Sequence, residues 1–370
     1  MPTPALQLAP AFQQQDRQFQ RAFELMMAAA AERAFPGAAL AVTHGPALVA
    51  WKAFGRFTYD RESPAVAPTT VFDLASVSKV VATTAAAMLL YERGALDLEA
   101  RVVDVMPNFD TGDSRRREVT LRMLLAHSSG LPGWEKLYER ATTPEELLSL
   151  ALATPLVAAP GTRTEYSDIG FIILGEILAH WAGEPLDRFC QTQVFNPLGM
   201  SSACFNPPPE WSQQIPPTLD DQAFRGRVIQ AEVNDENASV LGGIAGHAGV
   251  FAGALDVATF AQCMLSGGRP ILRPETVQTF TARESSPPGT SRALGWDTPS
   301  APSQSGRYFG PRSFGHLGHT GTSLWCDPDR RLSVTLLTNR TWPDRSSQEI
   351  KRVRPLVHDA IVEAIEDAKP

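Results

Sequence analysis

The chain has 370 residues, a formal net charge of −7 at neutral pH and a hydrophobic content of 43%. This composition is typical of a globular protein with a sizeable core, and the length suggests two domains or one domain with two lobes. The negative charge argues against nucleic acid as a partner, because no excess of basic residues is available to neutralise phosphates. No uncharged apolar stretch reaches the roughly 18 residues of a membrane-spanning helix.

Residues 1–5 carry no basic segment followed by an apolar one, so they do not resemble a signal peptide and we expect a cytoplasmic protein. A leader missing from this sequence would change the expected location to the periplasm or the outside of the cell. The four cysteines are scattered, which is typical of reduced thiols. His316 and His319 lie in a glycine-rich segment, so we expect no metal site, and we expect no cofactor. The oligomeric state is left open.

The first quarter of the chain predicts a helix, a hairpin and a second helix. Residues 11–35 place aromatic residues and methionines at near-helical spacing, which predicts an amphipathic helix. Two short apolar runs, 38–42 and 47–54, flank a turn and predict a β-hairpin. Residues 69–93 are apolar on most faces and predict a long buried helix.

The middle of the chain is predicted to be mostly helical, with helices over 119–126, 143–153, 169–183, 186–194 and 256–265. Residues 206–217 contain five prolines, and residues 285–313 are rich in Pro, Ser and Gly, so both are predicted to be irregular. Residues 314–339 predict strands around a turn, and residues 348–366 predict a closing helix.

This order of elements predicts an α/β (α+β) fold with two lobes. Residues 1–70 and 285–370 are expected to form one α/β domain, in which an antiparallel sheet is flanked by the terminal helices. Residues 71–284 are expected to form an inserted, mainly helical domain. A cleft between the two is the expected place for an active site.

A hydroxyl and an amine stand three residues apart in Ser76-Val77-Ser78-Lys79, at the start of the long predicted helix. Positions i and i+3 of a helix share a face, so Ser76 and Lys79 should point the same way. A serine becomes nucleophilic when a neighbouring group takes its proton, and a partly buried lysine can do so if its pKa falls. By itself the pattern also fits a capping hydroxyl and a solvated charge.

Three short sequences follow one another along the chain: Ser76-Val77-Ser78-Lys79, Tyr166-Ser167-Asp168 and His319-Thr320-Gly321. Their order resembles the serine β-lactamase and penicillin-binding-protein superfamily, whose signature is Ser-x-x-Lys, a second polar triplet and Lys-Thr-Gly. Within it, segments 120–132, 321–325 and 336–340 most resemble the branch of class C β-lactamases, DD-peptidases and family VIII carboxylesterases. The resemblance covers about residues 20–365 and implies a β-lactamase/transpeptidase-like fold.

The resemblance also implies an acyl-enzyme mechanism. Ser76 would be the nucleophile, Lys79 its base or base partner, and Tyr166 a proton shuttle whose pKa an adjacent Lys79 ammonium would lower. The backbone N–H groups of Ser76 and Thr322 would form the oxyanion hole. The residues expected to contact substrate are Asp168, His319, Thr320 and Gly321, with Asn237, His247 and Trp134 as further candidates for the cleft wall. These last three alternatively serve ordinary loop and lobe packing.

Two residues depart from the pattern of this branch. Asp168 stands where an asparagine is common, and a carboxylate cannot donate to a substrate carbonyl as an amide can. Asp168 would also favour a charged Lys79, which supports Tyr166 as the base. His319 stands where many members have lysine, and a neutral imidazole is a weaker anchor for a substrate carboxylate. Both departures favour neutral esters, so a carboxylesterase acting on short-chain esters is the expected function.

Two other kinds of function remain open. A penicillin-binding DD-peptidase or a class C-like β-lactamase would use the same Ser76 and Lys79 chemistry on an amide. A non-catalytic binding module would keep the fold without the chemistry, and a separation of Ser76 from Lys79 or Tyr166 beyond about 4 Å would favour it. In the enzymatic readings, the expected partner is a small-molecule ester or amide.

Overall fold

The computed structural model describes residues 6–368, so the expectation about residues 1–5 lies outside the described residues. The strands in chain order are β1 (Ala9–Pro10), β2 (Gly37–His44), β3 (Ala47–Gly55), β4 (Val71–Asp73), β5 (Cys204–Phe205), β6 (Leu219–Asp221), β7 (Arg227–Ile229), β8 (Val250–Gly253), β9 (Phe314–Leu317), β10 (Ser323–Asp327) and β11 (Leu332–Thr338). The α-helices are α1 (Gln15–Gln18), α2 (Gln20–Ala31), α3 (Ala85–Glu92), α4 (Val102–Val105), α5 (Leu121–Leu125), α6 (Pro144–Ala153), α7 (Asp168–Ala182), α8 (Leu186–Cys190), α9 (Asn196–Leu198), α10 (Glu236–Val240), α11 (Ala254–Leu265), α12 (Pro274–Thr281) and α13 (Ile350–Asp367).

Strands from both ends of the chain form one six-stranded sheet in the order β1-β3-β2-β11-β10-β9. The strands β3, β2, β11, β10 and β9 pair antiparallel with their neighbours. The predicted antiparallel sheet is confirmed, and the two-residue edge strand β1 adds one parallel pair with β3 to it. The protein is therefore a mixed α/β fold built on a mostly antiparallel sheet.

The central strand β2 is buried on both faces of the sheet. Leu40 and Val42 pack in a core with residues of α2 and α13, whereas Ala39 and Ala41 belong to the larger core shared with the helical part. Alternate residues of a strand point to opposite faces, so one strand supplies both cores. Burial of a side chain such as Leu40 stabilises the fold by about 1.5–3 kcal/mol.

The part of the chain between the sheet strands is mainly helical and is organised around the apolar helix α7. Ser167 caps its start by accepting a hydrogen bond from the Gly170 N–H, and Gly183 ends it in the left-handed conformation. The same part also contains the small sheet β4-β8-β5 and the hairpin β6-β7, which the sequence did not predict. Within residues 6–368 no single helix is long and apolar enough to cross a membrane, although α7 and Leu186–Leu198, bent by 71°, pass that test together.

The helix predicted over residues 69–93 is divided into shorter elements. After β4 the chain forms a 3₁₀ turn over Ala75–Val77 and a π-helical stretch over Lys79–Thr84 before α3 begins. The strand forms because Phe72 pairs with Ala252 of β8, a partner distant in sequence. Single π-helical turns are rare and occur frequently at functional sites.

Candidate active site

Ser76 lies in the turn between β4 and α3 and lines a cleft of about 670 Å³. The preceding Ala75 has φ of 46°, a left-handed conformation that few residues other than glycine adopt. The buried Asp73 carboxylate holds this turn by accepting hydrogen bonds from the N–H groups of Ala75, at 2.8 Å, and Asn234, at 2.7 Å. Strained backbone of this kind persists where its surroundings fix it, as at functional sites.

Lys79 is completely buried, and its ammonium group contacts three oxygen atoms. Its Nζ donates hydrogen bonds to Ser76 Oγ and to the His247 carbonyl, each at 2.9 Å. The same atom forms an ion pair with Asp168 Oδ1 at 2.6 Å. A buried charge is costly unless it is paired and hydrogen-bonded, so these contacts account for the burial of Lys79. Ser76 and Lys79 are therefore within reach for proton transfer.

The pKa of Lys79 is set by opposing effects. Burial by itself lowers the pKa, but the charge of Asp168 and the neighbouring Tyr166 outweigh it, so the pKa lies above its ordinary value. Lys79 is consequently an ammonium group at neutral pH. This agrees with the expectation that Asp168 favours a charged lysine.

Tyr166 is held beside Lys79 by an aromatic stack. The Lys79 Nζ lies 5.0 Å from the centroid of the tyrosine ring. The His127 ring lies 4.6 Å from the Tyr166 ring and 5.0 Å from the Phe171 ring. His127 Nδ1 also accepts a hydrogen bond from the Ser167 N–H at 2.9 Å. His127, which was not among the predicted site residues, thus orients the tyrosine.

Lys79 does act to lower the pKa of Tyr166, but the expectation that the phenol ends with a lowered pKa is wrong. Loss of hydration raises the pKa of the phenol and Asp168 raises it further, and these effects outweigh the opposing influence of Lys79 and Ser76. Tyr166 is therefore a neutral phenol at neutral pH. In the resting site both candidate bases, Lys79 and Tyr166, carry their protons.

We expect kcat/KM for an ester to increase with pH from neutrality to about pH 10, because the deprotonated form of Lys79 or Tyr166 must accept the proton of Ser76. Asp168 raises the pKa values of both groups, so the Asp168→Asn substitution should move the alkaline rise to lower pH and increase activity at neutral pH. Steady-state rates measured across pH for both proteins test this.

Glu165→Gln is the matched control for this pH profile, because Glu165 is an exposed carboxylate one residue before Tyr166. It should leave the profile unchanged. A rate that is already constant with pH below about pH 8 in the unsubstituted protein would contradict the two raised pKa values. So would an Asp168→Asn profile that overlies the original.

His247 supports Lys79 through its backbone. Its carbonyl accepts the lysine hydrogen bond, and its Nε2 shares a 2.8 Å hydrogen bond with Asp235 Oδ1. Although burial alone raises the pKa of Asp235, His247 and the Ala238 N–H hold it below its usual range. His247 lines the cleft, as predicted for it, and its role there is to fix the loop that contacts Lys79.

The predicted triplet His319-Thr320-Gly321 is only partly in the cleft. His319 lines it, and partial burial with the nearby charge of Arg340 lowers the pKa of His319 to about 4, so its ring is neutral. Thr320 and Gly321 are buried in the turn between β9 and β10 and do not line the cleft. The Thr320 hydroxyl instead donates to the Asp73 carbonyl at 2.9 Å.

The geometry does not favour the backbone N–H of Thr322 as an oxyanion-hole donor. For the backbone N–H of Ser76, the oxyanion-hole role stays a prediction. Thr322 is buried outside the cleft lining, and its hydroxyl donates to the Leu74 carbonyl at 2.8 Å. The stretch that borders the cleft is 316–319. Its Gly318 lies so close to the Ser76 turn that a Cβ atom there would be 2.6 Å from the Leu74 carbonyl oxygen. The backbone of His319 is therefore better placed than that of Thr322.

Asn237 does not line the cleft but supports the loop that does. Its amide oxygen accepts a hydrogen bond from the Tyr138 N–H at 3.0 Å, and its amide nitrogen donates to the Glu135 carbonyl at 2.9 Å. Asn237 is completely buried. These contacts position Trp134, which lines the cleft as predicted.

The cleft lining also contains basic residues that were not predicted to belong to the site, namely Arg292, Arg340, Arg345, Lys351 and Arg354. Within residues 6–368, neither Arg340 nor Arg354 forms an ion pair with a carboxylate. Arg340 donates to the His319 carbonyl at 2.7 Å, and Arg354 donates to the Gly321 carbonyl at 3.0 Å. Burial and the charge of Arg340 lower the pKa of Arg354 to about 9, so it is still a cation at neutral pH. The described residues contain no group of three or more His, Cys, Asp or Glu side chains that could hold a metal ion.

Known proteins resemble this chain over most of its length. A curated relative named "Putative D-alanyl-D-alanine carboxypeptidase", from Escherichia coli (strain K12), is 32% identical over 311 residues, which cover 75% of this chain and 71% of the relative. Another relative, named "N-acetylmuramyl-L-alanine amidase", from Bacillus subtilis (strain 168), is 32% identical over 348 residues. These residues cover 83% of this chain and 77% of the relative.

Solved structures share the fold at lower sequence identity. EstCE1, described as a hydrolase with promiscuous acyltransferase activity, has a TM-score of 0.76 and 23% identity over 94% of this chain and 99% of its own. A class C β-lactamase from Rhodobacter sphaeroides has a TM-score of 0.72 and 24% identity, over 95% of this chain and 99% of its own. The family model described as Beta-lactamase matches residues 19–358. The chain therefore belongs to the beta-lactamase family, and it is a serine hydrolase of the β-lactamase and penicillin-binding-protein fold.

Proposed function

We propose that the protein hydrolyses carboxylic esters through an acyl-enzyme intermediate on Ser76, with short-chain esters as the first substrates to test. The observation that carries this proposal is the 2.9 Å hydrogen bond between Lys79 Nζ and Ser76 Oγ at the wall of an open cleft. An ester carbonyl is more electrophilic than an unstrained amide. Esters therefore suit a site whose two candidate bases are mostly protonated at neutral pH.

In this mechanism Ser76 Oγ attacks the ester carbonyl while its proton passes to the deprotonated member of the Lys79 and Tyr166 pair. The carbonyl oxygen becomes an oxyanion that the Ser76 N–H stabilises. The bond to the alcohol then breaks, and the alcohol leaves with the proton that Ser76 gave up. A water molecule attacks the acyl-enzyme in the same way, which releases the carboxylic acid and restores the Ser76 hydroxyl.

The basic side chains of the cleft favour a second candidate, a carboxypeptidase that acts on peptides with a free C-terminal carboxylate. Arg340 and Arg354 are cations without a carboxylate partner among residues 6–368, so a substrate carboxylate would compensate their charge. The neutral His319 is a weaker objection than the sequence suggested, because Arg340 Nη2 lies 3.3 Å from its Nδ1 and supplies a positive charge there. The curated relatives named as carboxypeptidases also support this candidate.

The two candidates separate in one experiment with p-nitrophenyl butyrate, a fluorescent penicillin and a peptide ending in D-Ala-D-Ala. Ester hydrolysis predicts turnover of p-nitrophenyl butyrate and a transient butyryl adduct, which the intact mass of the protein detects. Digestion should place this adduct on the peptide that contains Ser76. Carboxypeptidase activity predicts release of D-alanine and labelling by the penicillin. An adduct on any other residue would refute Ser76 as the nucleophile, and no adduct or turnover with any compound would favour a binding module.

A further inference from the structure

Three aromatic side chains form a continuous surface beside the catalytic centre, which we call the aromatic shelf: Trp134, Tyr138 and Phe224. The ring centroids of Trp134 and Tyr138 are 6.3 Å apart, and those of Tyr138 and Phe224 are 4.6 Å apart. Despite these contacts, Trp134 is 42% exposed and Phe224 is 39% exposed. Contiguous apolar surface left in water commonly marks a binding site.

The aromatic shelf meets the catalytic cleft at Trp134, and Tyr138 and Phe224 extend the shelf beyond the cleft lining. Trp134 lines the same cavity as Ser76 and Tyr166. The residue before it, Gly133, accepts a hydrogen bond from the Asp168 N–H at 2.7 Å through its carbonyl. A molecule whose reacting carbonyl lies at Ser76 can therefore extend over the tryptophan ring, so the occupant of the shelf is part of the substrate.

Buried polar side chains hold in place the backbone segments that carry the aromatic shelf. On one side, the fully buried Asn237 binds the backbone of the loop that carries Trp134 and Tyr138. On the other side, the buried Arg225 side chain pairs with Asp221 at 2.7 Å and donates to the Val233 carbonyl at 2.8 Å.

The Asp221 carboxylate also accepts a hydrogen bond from the Phe224 N–H at 3.1 Å, which fixes the turn of the β6-β7 hairpin. The exposed rings are therefore ordered by groups that are mostly or completely buried. A surface that is fixed before binding loses little entropy when a ligand orders on it. Other large apolar residues exposed in residues 6–368 include Met27, Val157 and Leu356, which do not line the cleft.

We propose that the aromatic shelf is a subsite for an apolar substituent of the ester, either an alkyl chain or an aromatic ring. This inference rests on the proposed ester hydrolysis and adds to it the part of the substrate that sets specificity. Aromatic rings bind another ring by offset or edge contact and bind an alkyl chain by burial of its surface. The substituent can belong to the acyl part or to the alcohol part of the ester, and the two sources are distinguished below.

The test compares kcat/KM in two series of esters. One series holds p-nitrophenol constant and lengthens the acyl chain from acetyl to octanoyl. The other holds acetate constant and lengthens the alcohol from methanol to hexanol and benzyl alcohol. In Trp134→Ala and Phe224→Ala we expect the longest esters of one series to lose about tenfold in kcat/KM, while the smallest ester of each series stays within about twofold.

Met27→Ala is the matched control, because Met27 is 54% exposed on α2 and does not line the cleft. Melting temperatures confirm that all three variants are folded. Loss confined to long acyl chains assigns the shelf to the acyl part, and loss confined to long alcohols assigns it to the alcohol part; both support the subsite. A loss that is equal for short and long esters, or no loss at all, overturns the subsite alone. No ester hydrolysis by the unsubstituted protein overturns the proposed function and the subsite with it.

Discussion

Replacing Ser76 with alanine is expected to reduce kcat on an activated ester by a factor on the order of 10⁶, as loss of the nucleophile does in other serine hydrolases. The reason is that the Ser76 hydroxyl is the group aligned with Lys79 Nζ, at 2.9 Å, in the cleft. Without Oγ no acyl-enzyme can form, and only binding and oxyanion stabilisation remain. The rate of p-nitrophenol release from p-nitrophenyl butyrate, measured for the unsubstituted protein and the variant at equal concentration, gives the ratio of their kcat values.

Ser78→Ala is the matched control, since Ser78 belongs to the same short sequence but faces away from the chemistry. Its hydroxyl accepts a hydrogen bond from the Val250 N–H at 3.0 Å and it is completely buried. Its loss should lower the free energy of unfolding by about 1–3 kcal/mol and leave kcat on the butyrate ester near the original value. If Ser76→Ala keeps its activity while folded, another residue is the nucleophile.

Asn339→Ala is expected to lower the free energy of unfolding by about 3–5 kcal/mol. Asn339 is completely buried just after β11 and connects three segments of the chain. Its side chain accepts from the Gly37 N–H at 3.2 Å and donates to the carbonyls of Phe57 and Pro217, at 2.8 and 2.9 Å. Alanine would leave all three backbone groups unpaired in the interior, and each such group costs about 1–3 kcal/mol.

Denaturant unfolding, monitored by circular dichroism and extrapolated to water, measures this change. Asn108→Ala is the comparison, because Asn108 is exposed on the surface, and a change within about 0.5 kcal/mol is expected there. A loss below about 1 kcal/mol for Asn339→Ala would mean that water or a backbone movement satisfies the three groups.

Local spacing was sufficient to predict that Ser76 and Lys79 lie in contact. A separation of three residues places Ser76 and Lys79 on one side of any tightly wound backbone, so the two meet even though a 3₁₀ turn and a π-helical stretch replace the predicted helix. Asp168, the first residue of α7, contacts the same ammonium group, and Tyr166 lies just before the cap of that helix. The charged state of Lys79 also followed from the sequence, since Asp168 was the evident opposite charge.

The pKa of Tyr166 could not be predicted in the same way. The sequence showed the cation that lowers it but not the burial that raises it, and burial depends on packing against His127 and on the surrounding lobe. The sequence likewise did not show the arginines of the cleft, because Arg292 is distant in the chain from Arg340, Arg345 and Arg354, and only the folded chain places all four in the cleft with Ser76.

The glycine-rich segment 314–323 is the clearest case in which the sequence alone did not decide which residues line the cleft. The triplets His316-Leu317-Gly318 and His319-Thr320-Gly321 each begin with a histidine and end with a glycine, and they start three residues apart. The third motif of the family could therefore be assigned to either triplet. The register of β9 and β10, in which Leu317 pairs with Ser323, puts 316–319 at the cleft and buries Thr320 and Gly321 in the turn. The sequence by itself indicated the fold family, through the order of its three motifs, and it predicted a chemistry for Ser76, Lys79 and Tyr166, of which only the Ser76 and Lys79 pair depends on short-range spacing. Strand register, burial and the approach of distant side chains are long-range properties, so only the tertiary structure decided which residues surround that chemistry.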